Sequence, residues 1–298
     1  MTCCACGGDA WERRYRGVAD YEYETYHPVD YAACRICGLL AQDPLPKAED
    51  VPGFYPAGYR LHDVSAGAFA RLKQWQAARL ARTMSRSIVA EARILELGCG
   101  RGDLLRAFRA RGYRSLYGSD FVATGAAALE RDGISFRRAD LETTFPFEGA
   151  FDAVIMNNVI EHFLDPAGVL ARARDRLSPG GALILVTPNA EAWDRSVFGR
   201  SWAGFHAPRH TFVFTRRALE ALGRRLGFSR VVVRALVDPG QWALSLQNAC
   251  QASRLLRTAL ARGLAWYTLP MTAAFVPVAA IQALTRRSAS MLAVVSRN

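Results

Sequence analysis

Lysine is nearly missing from this chain. Lys47 and Lys73 are the only two among 298 residues, so arginine carries almost all of the cationic side of a net charge of +11. Alongside abundant alanine, such a bias follows genome composition as readily as function, and the charge alone does not establish a polyanionic partner. A leader peptide is not expected either. Met1-Thr2-Cys3-Cys4 passes directly into polar residues, which makes a reducing cytoplasm the expected compartment. Apart from one short cysteine pattern there is no internal repeat. With 51% hydrophobic residues there is ample material for a core, and the length suits one large domain with an appendage or two.

The dinucleotide fingerprint G-x-G-x-x-G is absent as well, although its setting is present. Ile94-Leu95-Glu96-Leu97-Gly98-Cys99-Gly100-Arg101-Gly102-Asp103-Leu104-Leu105 reads as an apolar strand that breaks into glycines and restarts as a helix. Such glycines let backbone N–H groups approach a ligand without a Cβ in the way, and the helix start adds unpaired donors. A nucleotide-like cofactor is implied. Because the third glycine comes one residue early, with Asp103 in its expected place, a pyrophosphate is not the expected ligand.

The loop resembles the first motif of class I S-adenosylmethionine-dependent methyltransferases, acidic-x-Gly-x-Gly-x-Gly, with Glu96 as the acid. Later segments keep that family's order. Ser115 to Asp120 is a second strand ending in an acid where a ribose diol needs a bidentate acceptor, and Ala139-Asp140-Leu141 falls where the family meets adenine. Phe151 to His162 matches the fourth strand running into the active-site edge, and Ser178-Pro179-Gly180-Gly181 with Ala182 to Pro188 matches the turn and fifth strand. The match covers about residues 90 to 237 and a last strand near Met291 to Ser296. It implies an α/β, Rossmann-like doubly wound sheet of six parallel strands and one antiparallel strand. It further implies S-adenosylmethionine as cofactor, bound by Glu96, Gly98, Gly100, Gly102, Asp120, Asp140, Leu141 and Asn157.

Four of the seven cysteines form two copies of one knuckle, Cys3-x-x-Cys6-Gly7 and Cys34-x-x-Cys37-Gly38. Each glycine permits the tight turn that brings N–H groups onto a thiolate, and the pair can close a structural Cys₄ zinc site with no position left for substrate. A redox Cys-x-x-Cys pair is disfavoured, since no thioredoxin-like unit surrounds it. Cys99 and Cys250 read as packing residues. This N-terminal stretch resembles the zinc module of bacterial methyltransferases that act in sugar and cell-surface-glycan pathways.

Candidate acid–base groups are histidines. His162 follows Glu161 just past the fourth strand. His206 and His210 lie in Phe198 to Phe212, a loop rich in aromatic, imidazole and guanidinium groups past the carboxyl edge of the sheet, where ligands bind in such folds. Trp202 and Phe205 could equally serve to pack that loop. An Asn-Pro-Pro-aromatic motif for base N-methylation is missing, because the fourth strand ends Asn157-Asn158-Val159-Ile160. No nucleophilic cysteine stands there for cytosine C5 chemistry.

Between the sixth and last strands, Leu264 through Leu284 carries no charge and is bounded by arginines, Arg257 and Arg286 among them. At 1.5 Å per residue it could reach across a bilayer, yet neighbouring strands of one sheet require the chain to return to the side it left. Pro270 and Pro277 interrupt a straight helix, and Trp242 and Trp266 suit an interface. An amphipathic hairpin in the membrane surface fits; so does an apolar lid or an oligomer face.

The sequence therefore divides into a zinc ribbon (1–60), a helical linker (61–90), a methyltransferase core (91–238), an apolar helical insertion (239–287) and a final core strand (288–298). The expected activity is S-adenosylmethionine-dependent O-methylation of a small-molecule sugar or lipid-linked glycan, in the cytoplasm or peripherally at the inner membrane face. An RNA methyltransferase and a non-catalytic binding protein are the alternatives. Nucleic acid is the less favoured partner, because acids such as Asp20 and Glu22 offset the ribbon's arginines, Arg13, Arg14, Arg16 and Arg35. The oligomeric state is left open.

Overall fold

The computed structural model describes residues 1–23, 27–55, 68–123, 125–253, 256–260 and 264–296. Part of the 61–90 linker and Arg262 lie outside the described residues. The chain opens with β1 (Trp11–Val18), β2 (Val29–Cys34) and β3 (Leu40–Gln42), then α1 (Ala68–Met84). Alternation follows: β4 (Ile94–Leu97), α2 (Asp103–Ala110), β5 (Leu116–Asp120), α3 (Ala126–Arg131), β6 (Ser135–Arg138), β7 (Phe151–Asn157), α4 (Pro166–Asp175) and β8 (Leu177–Pro188). The last third holds α5 (Trp193–Phe198), β9 (Phe212–Val213), α6 (Arg216–Arg225), β10 (Arg230–Leu236), α7 (Pro239–Ala252), α8 (Thr268–Ala274), α9 (Val276–Leu284) and β11 (Ser290–Ser296).

Seven strands form one sheet in the order β10-β11-β8-β7-β4-β5-β6, with β11 antiparallel to both neighbours and the other six parallel. This is the doubly wound architecture expected. β4 lies between β5 and β7 and buries all four of its residues. A strand covered on both faces is apolar by necessity, which makes its one acid, Glu96, conspicuous. Strand order reverses beside β4, so the glycine loop opens at the switch point where such sheets bind ligands.

The cysteine module does not stand apart. Its sheet runs β1-β2-β3-β9, and the fourth strand comes from the histidine loop, with Leu40 paired to Val213 and Ala41 to Phe212. One buried cluster joins Cys3, Cys34, Cys37 and Leu39 to Phe212, Phe214 and Leu222 and to sheet residues Leu95, Val154 and Leu185. Helix α6 holds both knuckles. The Thr215 hydroxyl caps it by accepting from Ala218 N at 2.9 Å and donates to Cys37 O at 2.6 Å, while Arg225 Nη1 donates to Cys3 O and Cys4 O at 3.2 and 3.0 Å.

The apolar run after α7 is two short helices rather than one. They meet at Phe275, and Pro277 sits in the first turn of α9, where its missing N–H costs nothing. Among the described residues no helix is long and apolar enough to cross a membrane. Trp242, expected at an interface, is instead buried: its ring stacks on Phe275 at 5.5 Å and its Nε1 donates to Gln282 Oε1 at 2.7 Å. A tryptophan with a buried amide partner is satisfied in the interior.

Candidate active site and cysteine cluster

The glycine loop has the form a nucleoside needs. Gly98, Gly100 and Gly102 have φ of +72°, +53° and +79°, left-handed values that L side chains rarely adopt. A Cβ on Gly98 would lie 2.4 Å from Val159 Cγ2, and one on Gly102 would lie 2.2 Å from Leu129 Cδ2. Asp120 anchors the rim: Oδ2 accepts from Gly100 N at 2.8 Å and Oδ1 from Val122 N at 3.1 Å. Its carbonyl accepts from Ala139 N, which ties the Asp140–Leu141 turn alongside. Leu141 is buried and Asp140 exposed, an apolar surface with a polar edge. Glu96 is 3% exposed, and its Oε2 has no hydrogen-bond partner. Burial first, then the nearby Asp120 and Asp103 carboxylates, raise its pKa well above the ordinary range. An orphaned buried carboxyl oxygen beneath a loop that admits no Cβ fits S-adenosylmethionine, with Asp120 at the ribose position. Asn157 ends β7, and the left-handed turn at Asn158 (φ 55°) leads the chain into the histidine region.

Val159 connects the loop to the catalytic candidates. It packs on Gly98, and a 3-10 turn over Ile160–His162 follows at once. There the three histidines meet, with ring centroids of His162 and His210 4.6 Å apart, His206 and His210 5.1 Å, and His162 and His206 6.5 Å. Their environments differ. His206 has both ring nitrogens engaged: Nε2 accepts from Arg209 Nε at 2.9 Å, which makes Nδ1 the donor to Glu22 Oε1 at 3.0 Å. His210 is buried and its Nδ1 donates to Gly204 O at 2.9 Å. Burial, and then the neighbouring His162 and His206, lower its pKa well below the usual histidine value, so it stays neutral. His162 is half-buried, with Nδ1 3.1 Å from Arg209 O and 3.1 Å from Tyr55 Oη. A carbonyl only accepts, so Nδ1 carries the proton and Nε2 is the basic nitrogen.

Several supporting residues escaped the sequence reading. Arg209 is fully buried and directs Nη1 and Nη2 at the two carboxylate oxygens of Asp20, at 3.0 and 2.9 Å; Nη1 also donates to Phe54 O at 3.0 Å. Glu161, completely buried, accepts from Thr187 Oγ1 at 3.0 Å, and its other oxygen lies 3.9 Å from His210 Nε2. Burial raises its pKa to about 8. Ligand atoms of Glu161, His162 and His210 all fall within 4.8 Å of one another, close enough for one cation. Trp202 and Phe205 are each 1% exposed and pack the loop, with Trp202 Nε1 donating to Asp194 Oδ2 at 2.6 Å.

The four predicted cysteines converge. Their sulfurs lie within 4.8 Å of one another, with Cys3 to Cys37 at 3.6 Å and Cys6 to Cys34 at 3.5 Å. A tetrahedral site with metal–sulfur bonds of about 2.3 Å would space its sulfurs by about 3.8 Å, so the set fits zinc. Gly7 and Gly38 have φ of +78° and +77°, and each donates its N–H to the carbonyl of its knuckle's first cysteine, at 2.9 and 2.8 Å.

Comparison with known proteins decides the family. A family model described as "Methyltransferase domain" matches residues 68–233. The chain belongs to this methyltransferase family, and it is an S-adenosylmethionine-dependent methyltransferase. It is similar to a ubiquinone biosynthesis O-methyltransferase of Cereibacter sphaeroides, at 28% identity over 63% of this chain and 81% of that protein. A protein of the same name from Dinoroseobacter shibae is 30% identical over 51% of this chain and 67% of its own length. Among solved structures, a Haloferax volcanii methyltransferase in complex with the Trm112 activator aligns with a TM-score of 0.51 and 20% identity, over 76% of this chain and 90% of that one. None of these relatives is named for a sugar or glycan, so the glycan acceptor expected above is without support.

Proposed function

We propose that this methyltransferase methylates a hydroxyl oxygen and that His162 removes the hydroxyl proton. The observation that carries this reading is the hold on His162 Nδ1 from Arg209 O and Tyr55 Oη, which makes Nε2 the basic nitrogen of a half-buried ring, while His206 engages both nitrogens with Glu22 and Arg209 and the buried His210 stays neutral with Nδ1 on Gly204 O. The relatives' naming as O-methyltransferases supports an oxygen acceptor. S-adenosylmethionine, when bound, supplies the methyl group from its sulfonium. Gly98, Gly100 and Asp120 would hold it, with Asp140 and Leu141 beside the adenine. In-line displacement depends chiefly on alignment, and proton removal by a positioned base adds roughly 10²-fold to 10⁴-fold.

Arg209 organises the acceptor side. Its carbonyl sets the His162 tautomer while its guanidinium fixes His206 and is itself fixed by Asp20. An RNA acceptor is weakened by the ribbon's own chemistry, since Arg13 pairs with Asp43 at 3.3 Å and Arg14 with Glu12 at 3.7 Å. We further read the cysteine cluster as a structural zinc site. The decisive experiment supplies methyl-labelled S-adenosylmethionine with lipid extracts, simple phenols, sugar nucleotides and RNA. Label should enter a hydroxyl compound with wild-type protein and fall to near background with His162→Ala. Label on nitrogen would reject the reading, and label in RNA would replace the small acceptor with a polynucleotide.

A further inference from the structure

The insertion between β10 and β11 buries amides beside Trp242 and Ala243. Gln247 Oε1 accepts from Ala265 N at 2.8 Å and Thr268 Oγ1 at 2.6 Å, and Gln282 Nε2 donates to Asp194 Oδ1 at 2.8 Å. Gln247 and Gln282 are at most 1% exposed. Its exterior is apolar. On α9 the outward positions include Val276, Val278, Ile281 and Leu284, with Leu284 85% exposed, and Trp266 ahead of α8 is 82% exposed. A helix that turns its glutamine inward and its valine, isoleucine and leucine outward is amphipathic toward a non-aqueous medium.

Charge identifies that medium. After Asp238 the sequence contains no aspartate or glutamate through to its last residue, whereas Arg286 and Arg287 directly follow the apolar stripe and are exposed. A second copy of this chain would meet the patch with the same cations in a symmetric contact, and self-repulsion opposes that arrangement. Anionic headgroups would instead attract the arginines while the acyl boundary takes Ile281, Leu284 and Trp266. With α8 and α9 only seven and nine residues long, neither reaches across a bilayer, and the contact lies in the plane of the membrane. We propose that α8 and α9 seat this enzyme on the headgroup layer of an anionic bilayer, with Trp266 and Leu284 entering the interface.

The test needs no acceptor and is independent of the hydroxyl reading. Full-length protein is sedimented with phosphatidylcholine vesicles that contain or lack phosphatidylglycerol. Binding is expected only with the anionic lipid, together with a blue shift of tryptophan emission that Trp266→Phe removes. Arg286→Gln should weaken binding about fivefold, the share of one arginine near a charged surface. Ile281→Ser combined with Leu284→Ser should abolish binding, and because both residues are exposed, S-adenosylmethionine affinity should stay unchanged. Wild-type protein remaining in the supernatant with both vesicle types would overturn the proposal. So would binding that survives the double substitution. A concentration-dependent dimer dissociated by that same substitution would reassign the face to a second copy and likewise overturn it.

Discussion

The guanidinium of Arg209 and the carboxylate of Asp20 are joined by two near-parallel hydrogen bonds, 3.0 and 2.9 Å, between side chains that are 0% and 1% exposed and 189 residues apart. Asp20 belongs to the cysteine module and Arg209 to the histidine loop. Burial raises the Asp20 pKa, but the Arg209 hydrogen bonds and charge outweigh it and leave the carboxyl below its usual value. Replacement by hydrophobic residues of both partners can be tolerated in such pairs, whereas loss of one partner strands a charge. Asp20→Ala should therefore cost about 3–5 kcal/mol of stability in a denaturant titration, and it should lower turnover because the Arg209 carbonyl and guanidinium both position histidines.

With Asp120 holding the ribose as proposed, Asp120→Ala removes the acceptor for two hydroxyls. Calorimetry should show S-adenosylmethionine binding weakened by about 2 kcal/mol, roughly 30-fold. The same change frees Gly100 N from its 2.8 Å bond, so Asp120→Asn should recover part of the loss.

His162→Ala should leave cofactor affinity nearly intact and lower turnover by roughly 10²-fold to 10⁴-fold. Tyr55→Phe keeps the ring and deletes the hydroxyl that meets His162 Nδ1 at 3.1 Å, so it should reduce turnover by about tenfold or less. A pH–rate profile that loses its acidic limb in His162→Ala assigns the base.

Glu161 gives stability a pH dependence of unusual sign. With its pKa raised to about 8 by burial, the folded chain keeps a proton that the unfolded chain releases near the ordinary carboxylate value, so stability falls as pH rises toward 8. Thr187 donates to this carboxyl, and the facing His210 stays neutral and does not offset the ionised form. Glu161→Gln should flatten the profile between about pH 5 and 8, where the limiting slope of one group is about 1.4 kcal/mol per unit.

Metal analysis of protein purified without chelator should find one zinc per chain, lost in a Cys34→Ser, Cys37→Ser double variant. Since α6 clamps both knuckles, metal removal should lower the midpoint of the whole chain's thermal transition rather than release a separate module.

The donor half of the site was legible because it is local. Three glycines with positive φ, an apolar strand before them and an acid closing the next strand are all set by short-range sterics and hydrogen bonds. The two knuckles announced themselves by spacing for the same reason. The acceptor half was legible only in its histidines. Asp20 and Glu22 look like surface charges on a basic ribbon, and nothing near them in the sequence reveals that one meets Arg209 and the other His206. The uncharged run from Leu264 to Leu284 likewise marked the segment as apolar but could not say that Gln282, or Gln247 on α7, would face inward. Those placements arise from packing between distant segments, where burial must satisfy every polar group.

The pairing of β3 with β9 couples two parts of the chain that are far apart in sequence. Phe212 and Val213 take their place as the last strand of a sheet whose other three strands precede residue 43, so the histidine loop is shaped by the cysteine module as well as by the end of β8, where Asn189 bridges Phe214. Replacing that module would change the geometry around His206, Arg209 and His210 as well. A chimera carrying a foreign module on this catalytic sheet should keep its methyl donor and change its acceptor.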